Sequence, residues 1–163
     1  MTAADQSDEF APAGWSPPTS LVTAQFRLVP LGPEHNESDH AAWGGSIDHI
    51  RATPGFRPGE GRGSWPEPMS SESNLADLEM HAREFRERTA FTFTVLAPET
   101  DVDRVIGCVY MYPDRDGDAV AVVRCWVSAS VAELDQPLAE AVRDWIAHDW
   151  PWASVRFPGR FAA

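Results

Sequence analysis

The chain has 163 residues, of which 43% are hydrophobic and 23% are charged, a composition typical of one soluble globular domain. All 13 basic residues are arginine. Chemistry that needs a lysine amine, such as Schiff-base formation, pyridoxal-phosphate anchoring or the Walker A phosphate loop, is therefore excluded. No apolar run approaches the ~18 residues of a membrane span, so no membrane partner is expected.

The net charge of −12 bears on the partners that the protein could bind. Nucleic acid is not expected as a partner, because phosphate contacts require a basic surface. An acidic surface suits a cationic partner or substrate, or it serves solubility alone. The N-terminal residues lack the basic and apolar regions of a signal peptide, so we expect a cytoplasmic protein with reduced Cys108 and Cys125 thiols.

The first 20 residues combine prolines with small and acidic residues, and Phe10 and Trp15 are their large apolar groups. This composition predicts a flexible N-terminal tail over residues 1–20, followed by a single domain over residues 21–163. Alternating apolar residues then predict a strand within residues 21–31.

Pro33 begins a helical pattern that includes Trp43, and Gly44 and Gly45 predict that this helix is bent or short. Residues 52–69 contain eight glycines and prolines, which predict a long mobile loop. A clearer helix signal follows at Ser70 or Ser71, either of which is a suitable N-cap. Its apolar stripe has helical spacing and consists of Leu75, Leu78, Ala82 and Phe85.

Three segments rich in β-branched and aromatic residues predict strands, namely residues 91–96, 105–112 and 119–127. The last two flank Asp116 and Gly117, a hairpin signature. A turn centred on these two residues would place Cys108 opposite Cys125 on one face of the sheet.

A final helix is predicted near Asp135, a suitable cap, with Pro137 in the first turn, where its missing N–H does no harm. A short strand within residues 153–157 would follow, parallel to an earlier strand because the helix acts as a crossover. This order of elements predicts an α/β (α+β) protein with a mixed, mostly antiparallel central sheet flanked by helices.

Residues 124–128 read Arg-Cys-Trp-Val-Ser and lead through residues 129–136 into the helix at Pro137. This pattern is similar to the central strand, pyrophosphate loop and following helix of the GNAT superfamily of N-acetyltransferases, and the resemblance covers roughly residues 21–157. It implies that acetyl-CoA is the cofactor, held by backbone groups of the strand and the loop. The implied cofactor-binding residues are Cys125, Trp126, Val127, Ser128 and Gln136.

The resemblance implies acetyl transfer from acetyl-CoA to the amine of a small molecule or a protein. In GNAT proteins the corresponding loop lies on the acceptor side, so the resemblance implies that Trp65 is the residue that contacts substrate. The sequence indicates no catalytic side chain, and no histidine or cysteine spacing indicates a metal site. We also predict a homodimer, because the last strand would leave an uncovered sheet edge.

Two alternatives stay open at this stage. The loop over residues 132–137 contains no glycine and carries Glu133 and Asp135, which favours a catalytically silent GNAT-like module that acts by protein association or small-ligand binding. If Cys108 and Cys125 face each other, they could instead form a thiol redox sensor, although buried cysteines usually serve packing alone.

Overall fold

The computed structural model describes residues 9–61, 63–98 and 102–161, and residues 1–8 of the predicted tail lie outside these ranges. Its strands form one six-stranded sheet whose spatial order follows the chain. They are β1 (Leu21–Val22), β2 (Arg27–Pro30), β3 (Phe91–Leu96), β4 (Val105–Pro113), β5 (Ala121–Val127) and β6 (Val155–Arg156). The α-helices are α1 (Asn36–Gly44), α2 (Ile47–Arg51), α3 (Ser71–Glu87) and α4 (Asp135–Asp149), and 3-10 turns cover Pro33–His35 and Ala129–Leu134.

Neighbouring strands from β1 to β5 are antiparallel, whereas β6 runs parallel to β5 after the crossover through α4. The predicted fold class, a mixed and mostly antiparallel sheet flanked by helices, is confirmed. The strand predicted within residues 21–31 is two strands. A tight turn joins these two strands, and in it the Thr23 hydroxyl accepts hydrogen bonds from the backbone N–H groups of Gln25 and Phe26. Within the described ranges, no helix is long and apolar enough to cross a membrane.

The register of the β4–β5 hairpin differs from the predicted one. A seven-residue loop, residues 114–120, joins the strands, and it pairs Cys108 with Trp126 and Val109 with Cys125. Because side chains alternate between the two faces of a sheet, this one-residue shift puts the two cysteines on opposite faces. Burial raises the pKa of Cys125 to about 12 and that of Cys108 well above its usual range. The predicted cysteine pair is therefore wrong, and the redox-sensor alternative loses its basis.

One face of the sheet packs against α4 and the segment that precedes β1. Phe10 stacks on Phe91 and Trp152, with ring centroids 5.4 and 5.1 Å apart. Arg88 donates a 2.7 Å hydrogen bond to the backbone carbonyl of Pro12. The described part of the predicted flexible tail is thus packed on the domain, because its aromatic rings cover apolar surface of the sheet.

The other face of the sheet packs against the helices α1, α2 and α3. Its buried core consists of Leu31, Trp43, Ile50, Leu78, Cys108 and Trp126. The predicted cap of α3 is confirmed, because the Ser70 hydroxyl accepts a 3.1 Å hydrogen bond from the backbone N–H of Ser73. The predicted cap of α4 is wrong. Asp135 is the first residue of that helix, and its carboxylate pairs with Arg160 instead of capping the helix.

Candidate functional site

The strands β5 and β6 pair only where they begin. Ala121 pairs with Val155 and Val122 with Arg156, and no further pair between them follows in the described part of the chain. Most of one edge of β5 therefore has no strand beside it. We call the space between this edge and the segment that follows β6 the gap, although the buried Arg160 side chain fills it.

The pairing of β5 with β4 determines which peptide groups face the gap. At the two ends of the hairpin, the N–H of Ser128 donates to the carbonyl of Ile106 at 2.8 Å and the N–H of Asp114 to that of Val120 at 3.3 Å. Because bonded pairs alternate along an antiparallel ladder, even-numbered residues of β5 bond β4, and odd-numbered residues direct their N–H and C=O groups the other way. The backbone groups that face the gap are those of Val123, Cys125 and Val127.

The side chain of Arg160 lies in this gap. Its guanidinium donates two parallel hydrogen bonds to the Asp135 carboxylate, at 2.8 and 2.9 Å, and a third of 3.3 Å to the carbonyl of Cys125. The Arg160 side chain is 4% exposed, and its Nε has no hydrogen-bond partner among the described residues. This Arg160–Asp135 pair connects the edge of β5 to the first residue of α4.

A cavity of about 460 Å³ lies between the sheet and the helices α1 and α3, and this volume is typical of small-molecule sites. Its aromatic lining comprises Trp43, Phe56, Trp65, Tyr110 and Tyr112. Its charged and titratable lining comprises Asp39, Asp77, His81, Glu84 and Arg124.

Asp39 is a buried carboxylate in the wall of the cavity. It is 4% exposed, and its Oδ2 accepts a 3.1 Å hydrogen bond from the side-chain amide of Asn74. Asn74 is itself held by Trp43, whose indole N–H donates to Oδ1 at 3.0 Å. Burial raises the pKa of Asp39, although His81 and two further histidines nearby favour the charged form. Asn74 and Trp43 thus fix a desolvated carboxylate in place.

His81 and Glu84 form a second polar group on α3. The Nδ1 of His81 lies 3.4 Å from Oε1 of Glu84 and 3.2 Å from the hydroxyl of Tyr112, which donates to the same carboxylate oxygen at 3.0 Å. Hydrogen bonds from His81 and Tyr112 lower the pKa of Glu84. The Nε2 of His81 has no hydrogen bond to any described residue, so this nitrogen is available to a ligand in the cavity.

The loop over residues 52–69 covers one side of the cavity. The Nε of Arg124 donates to the backbone carbonyls of Gly55 and Glu60, at 3.1 and 3.0 Å, and fastens the loop to β5. Trp65 lies 5.6 Å from Trp43 between ring centroids. The loop that we predicted to be mobile is therefore tied to the sheet, and it contributes Trp65 and Phe56 to the cavity wall.

Comparison with solved structures identifies the architecture. An acetyl transferase from Salmonella typhimurium, which modifies the N-terminal serine of ribosomal protein L7/L12, superposes with a TM-score of 0.57 at 12% identity, over 84% of this chain and 71% of its own. The ribosomal-protein-S5-alanine acetyltransferase of Vibrio fischeri gives 0.56 at 12% identity, over 79% and 67%. The chain has the GNAT acetyltransferase fold. The likeness is one of fold, since the identity is low and neither family models nor curated proteins match the sequence.

A third GNAT structure carries a cofactor. The microcin C7 self-immunity acetyltransferase MccE, in complex with acetyl-CoA and AMP, gives a TM-score of 0.54 at 12% identity, over 76% of this chain and 63% of its own. This chain therefore spans roughly two thirds of the length of the GNAT structures that it resembles.

The residues in the gap do not fit acetyl-CoA in the described conformation. The resemblance to GNAT proteins predicts that the pantetheine arm pairs with the free edge of β5, and that edge is present. However, the guanidinium of Arg160 already donates a hydrogen bond to the Cys125 carbonyl on the same edge. The connection to α4 is a 3-10 turn in which the N–H of Asp135 already donates to the carbonyl of Ala132, so it is not free for a phosphate. Binding of acetyl-CoA would require Arg160 to move.

The five predicted cofactor-binding residues do not share one location. The backbone groups of Cys125 and Val127 face the gap, whereas alternation turns those of Trp126 and Ser128 towards β4. Gln136 lies in the first turn of α4, where it is exposed and donates a 3.1 Å hydrogen bond to Glu140. The acyl-CoA contacts of all five remain predictions, and of these five Cys125 and Val127 are the two whose backbone groups face the gap.

Sequence reasoning did not identify Asp39, His81 or Glu84 as site residues. The spacing of His35 and Asp39 favours a solvated helix face, but both side chains are buried. His81 lies seven residues after Asn74 on α3, so both occur on the helix face that points inward. The sequence signal that could have identified this site is the presence of Asn74 and His81 at helical spacing, beside the apolar residues of α3.

Proposed function

We propose that this protein is an N-acyltransferase that transfers the acetyl group of acetyl-CoA to an amine, so that an amide C–N bond forms, the thioester C–S bond breaks and CoA leaves as its thiol. The observation that carries the proposal is the separation of β5 from β6 after two residue pairs, which leaves the odd-numbered peptide groups of β5 facing a gap. The similar solved structures are acetyltransferases, and one of them, MccE, is in complex with acetyl-CoA, which supports this assignment.

The gap must open before it can accept a cofactor. Movement of Arg160 away from Cys125 would free the carbonyl on the edge of β5 and uncover the start of α4. Burying the guanidinium has a cost, and its Nε is left without a partner among the described residues, so the closed arrangement is only partly satisfied. We infer that the segment after β6 moves aside when acetyl-CoA enters.

The cavity on the α1–α3 face is the proposed acceptor site. An amine that is protonated in water must lose a proton before its nitrogen can attack a carbonyl carbon. We assign the role of proton acceptor to Nε2 of His81, because this nitrogen has no partner among the described residues and the ring lines the cavity. Glu84 orients the ring through Nδ1 and stabilises the charge that the ring gains.

An acetyl-transfer assay tests this function. The protein is incubated with acetyl-CoA and a panel of small amines and peptides, and the amide product is measured by mass spectrometry. We expect an amide product, and His81→Gln should lower the rate by about 100-fold or more because a general base typically contributes that factor. Glu79→Gln, on the exposed side of α3, is the control that should keep the wild-type rate. Absence of any amide across the panel would overturn the proposal.

A catalytically silent ligand-binding module is the second candidate function. The Arg160–Asp135 pair favours it, because this pair occupies the edge that acetyl-CoA would need. A silent module would bind a ligand in the cavity, and it would not bind acetyl-CoA even after the Arg160–Asp135 pair is removed by mutation. The two candidates therefore differ in one measurable property, the affinity for acetyl-CoA.

A further inference from the structure

The charges around the cavity are unbalanced. The described residues that line it include three carboxyl groups and one guanidinium. The carboxyl groups are those of Asp39, Asp77 and Glu84, and the guanidinium is that of Arg124. The guanidinium already donates to the carbonyls of the covering loop. Asp39 accepts one hydrogen bond, at Oδ2, and no described residue donates to its second oxygen. The cavity therefore offers acceptors to a cation and no comparable donor set to an anion.

The remaining lining is aromatic. Trp65 contacts the rings of Trp43, Phe56 and Tyr110 in tilted or edge-on arrangements, with centroids 5.6, 5.8 and 6.2 Å apart. Rings arranged in this way present both faces and edges to a further planar group, which is the geometry that aromatic pairs prefer. An ammonium group beside the same rings gains cation–π attraction.

We propose that the cavity binds a small monoamine with an aromatic body, with its ammonium group beside Asp39 and Glu84 and its ring against Trp43, Phe56 and Trp65. This inference deepens the proposed function, because it names the class of acceptor for the acetyl transfer. It also stands as a binding site if the protein transfers no acetyl group.

The same lining disfavours a polypeptide as the ligand. Every residue of a peptide brings an N–H and a C=O group that need hydrogen-bond partners once they leave water. Of the rings of Trp43, Phe56 and Trp65, only the two indoles carry an N–H, and that of Trp43 already donates to Asn74. An aromatic ring needs no such partners. The ribosomal-protein acetyltransferases of the same fold thus differ from this chain in the acceptor that we propose.

Isothermal titration without any CoA tests the inference directly. The probes are 2-phenylethylamine, its uncharged analogue 2-phenylethanol, ethylamine, which lacks the ring, and a short peptide with a free N-terminal serine. We expect saturable binding of 2-phenylethylamine and at least about tenfold weaker binding of the other three. Asp39→Asn, which keeps an oxygen for Asn74, should weaken 2-phenylethylamine binding at least about tenfold. Trp65→Leu should weaken it without affecting ethylamine, and Glu79→Gln is the matched control.

The outcomes separate this inference from the proposed function. Binding of 2-phenylethylamine with no amide product from any amine or peptide of the assay panel would support the ligand class and overturn the transferase. Acetylation of the peptide, with no binding of 2-phenylethylamine, would support the transferase and overturn the ligand class. Equal affinity of wild type and Asp39→Asn for 2-phenylethylamine, in folded protein by circular dichroism, would also overturn the ligand class.

Discussion

The buried carboxyl group of Asp39, which we propose binds an ammonium group, lowers the stability of the free protein. Its carboxylate is buried beside Asn74, and burial raises its pKa. The folded state therefore holds a proton more tightly than the unfolded chain does. The stability that this proton confers is present at low pH and is lost as the pH rises through the folded pKa. At pH values above the ordinary pKa range of an aspartate, the buried Asp39 carboxyl group therefore lowers the stability of the fold.

Asp39→Asn should therefore stabilise the protein at pH 7 while it weakens amine binding. We expect its melting temperature to exceed that of wild type by roughly 2 to 4 °C for each kcal/mol of charge burial that is relieved. The difference should shrink as the pH falls towards about 4. Scanning calorimetry at several pH values measures it, with Asp144→Asn at an exposed position of α4 as the control. A variant that melts below wild type at pH 7 would contradict this interpretation of Asp39.

The side chains of the site were the least predictable part of the molecule. The burial of Asp39 depends on Asn74, which is 35 residues further along the chain, and Arg160 reaches Cys125 across another 35 residues. No local pattern encodes such contacts. Trp65 was predicted to contact substrate because the resemblance to GNAT proteins places its loop on the acceptor side. The structure places Trp65 in the lining of the cavity.

At the scale of elements, the close approach of β4 and β5 depends on a glycine. A Cβ at Gly107 would overlap the carbonyl oxygen of Trp126 on the facing strand. This oxygen belongs to the backbone of the central hairpin, so it cannot turn away as a side chain would. Gly107→Ala must push the two strands apart.

We expect Gly107→Ala to lower the free energy of unfolding by about 2 kcal/mol or more, because the strain falls on the buried centre of the sheet. Gly44→Ala is the matched control. A Cβ at Gly44, in the last turn of α1, would meet no atom within 4 Å, so this substitution should be neutral or stabilise by up to about 1 kcal/mol. Urea denaturation measures both variants. Equal stability of the two would show that the hairpin tolerates the added methyl group.

Helices and strands were predictable where their hydrophobic period is strong. The stripe from Leu75 to Phe85 predicted α3, and β-branched runs predicted β3, β4 and β5. The hairpin register was not predictable in the same way. Asp116 and Gly117 indicated a two-residue turn, but Asp114 binds Arg156 at 2.7 and 2.9 Å and belongs to a longer loop. The resulting change of one residue reverses which side chains share a face.

At the scale of the whole molecule, the structure bears on the predicted homodimer. That prediction rests on an uncovered last strand, and β6 does lie at the edge of the sheet. Both edge strands, β1 and β6, are only two residues long, however. Very short edge strands are one means by which proteins avoid edge-to-edge pairing. We therefore expect a monomer of 18.0 kDa in sedimentation-velocity experiments. A species of twice this mass that persists on dilution would restore the homodimer.

The architecture as a whole was predictable because the order of elements constrains it. Three antiparallel strands, a crossover helix and a short parallel strand leave few ways to build one sheet. That order suggested the GNAT fold, and the structural comparisons agree with it. The filling of the gap by Arg160 was not predictable, since it involves the segment in which the resemblance ends.

The affinity of wild type and of the double variant Asp135→Asn/Arg160→Ala for acetyl-CoA shows whether the edge of β5 holds this cofactor. Removing both partners avoids leaving a lone buried charge and frees the Cys125 carbonyl on the edge of β5. We predict saturable one-to-one binding in calorimetry, at least about tenfold tighter for the double variant than for wild type. A flat titration for both proteins at millimolar acetyl-CoA would show that the edge of β5 does not bind this cofactor.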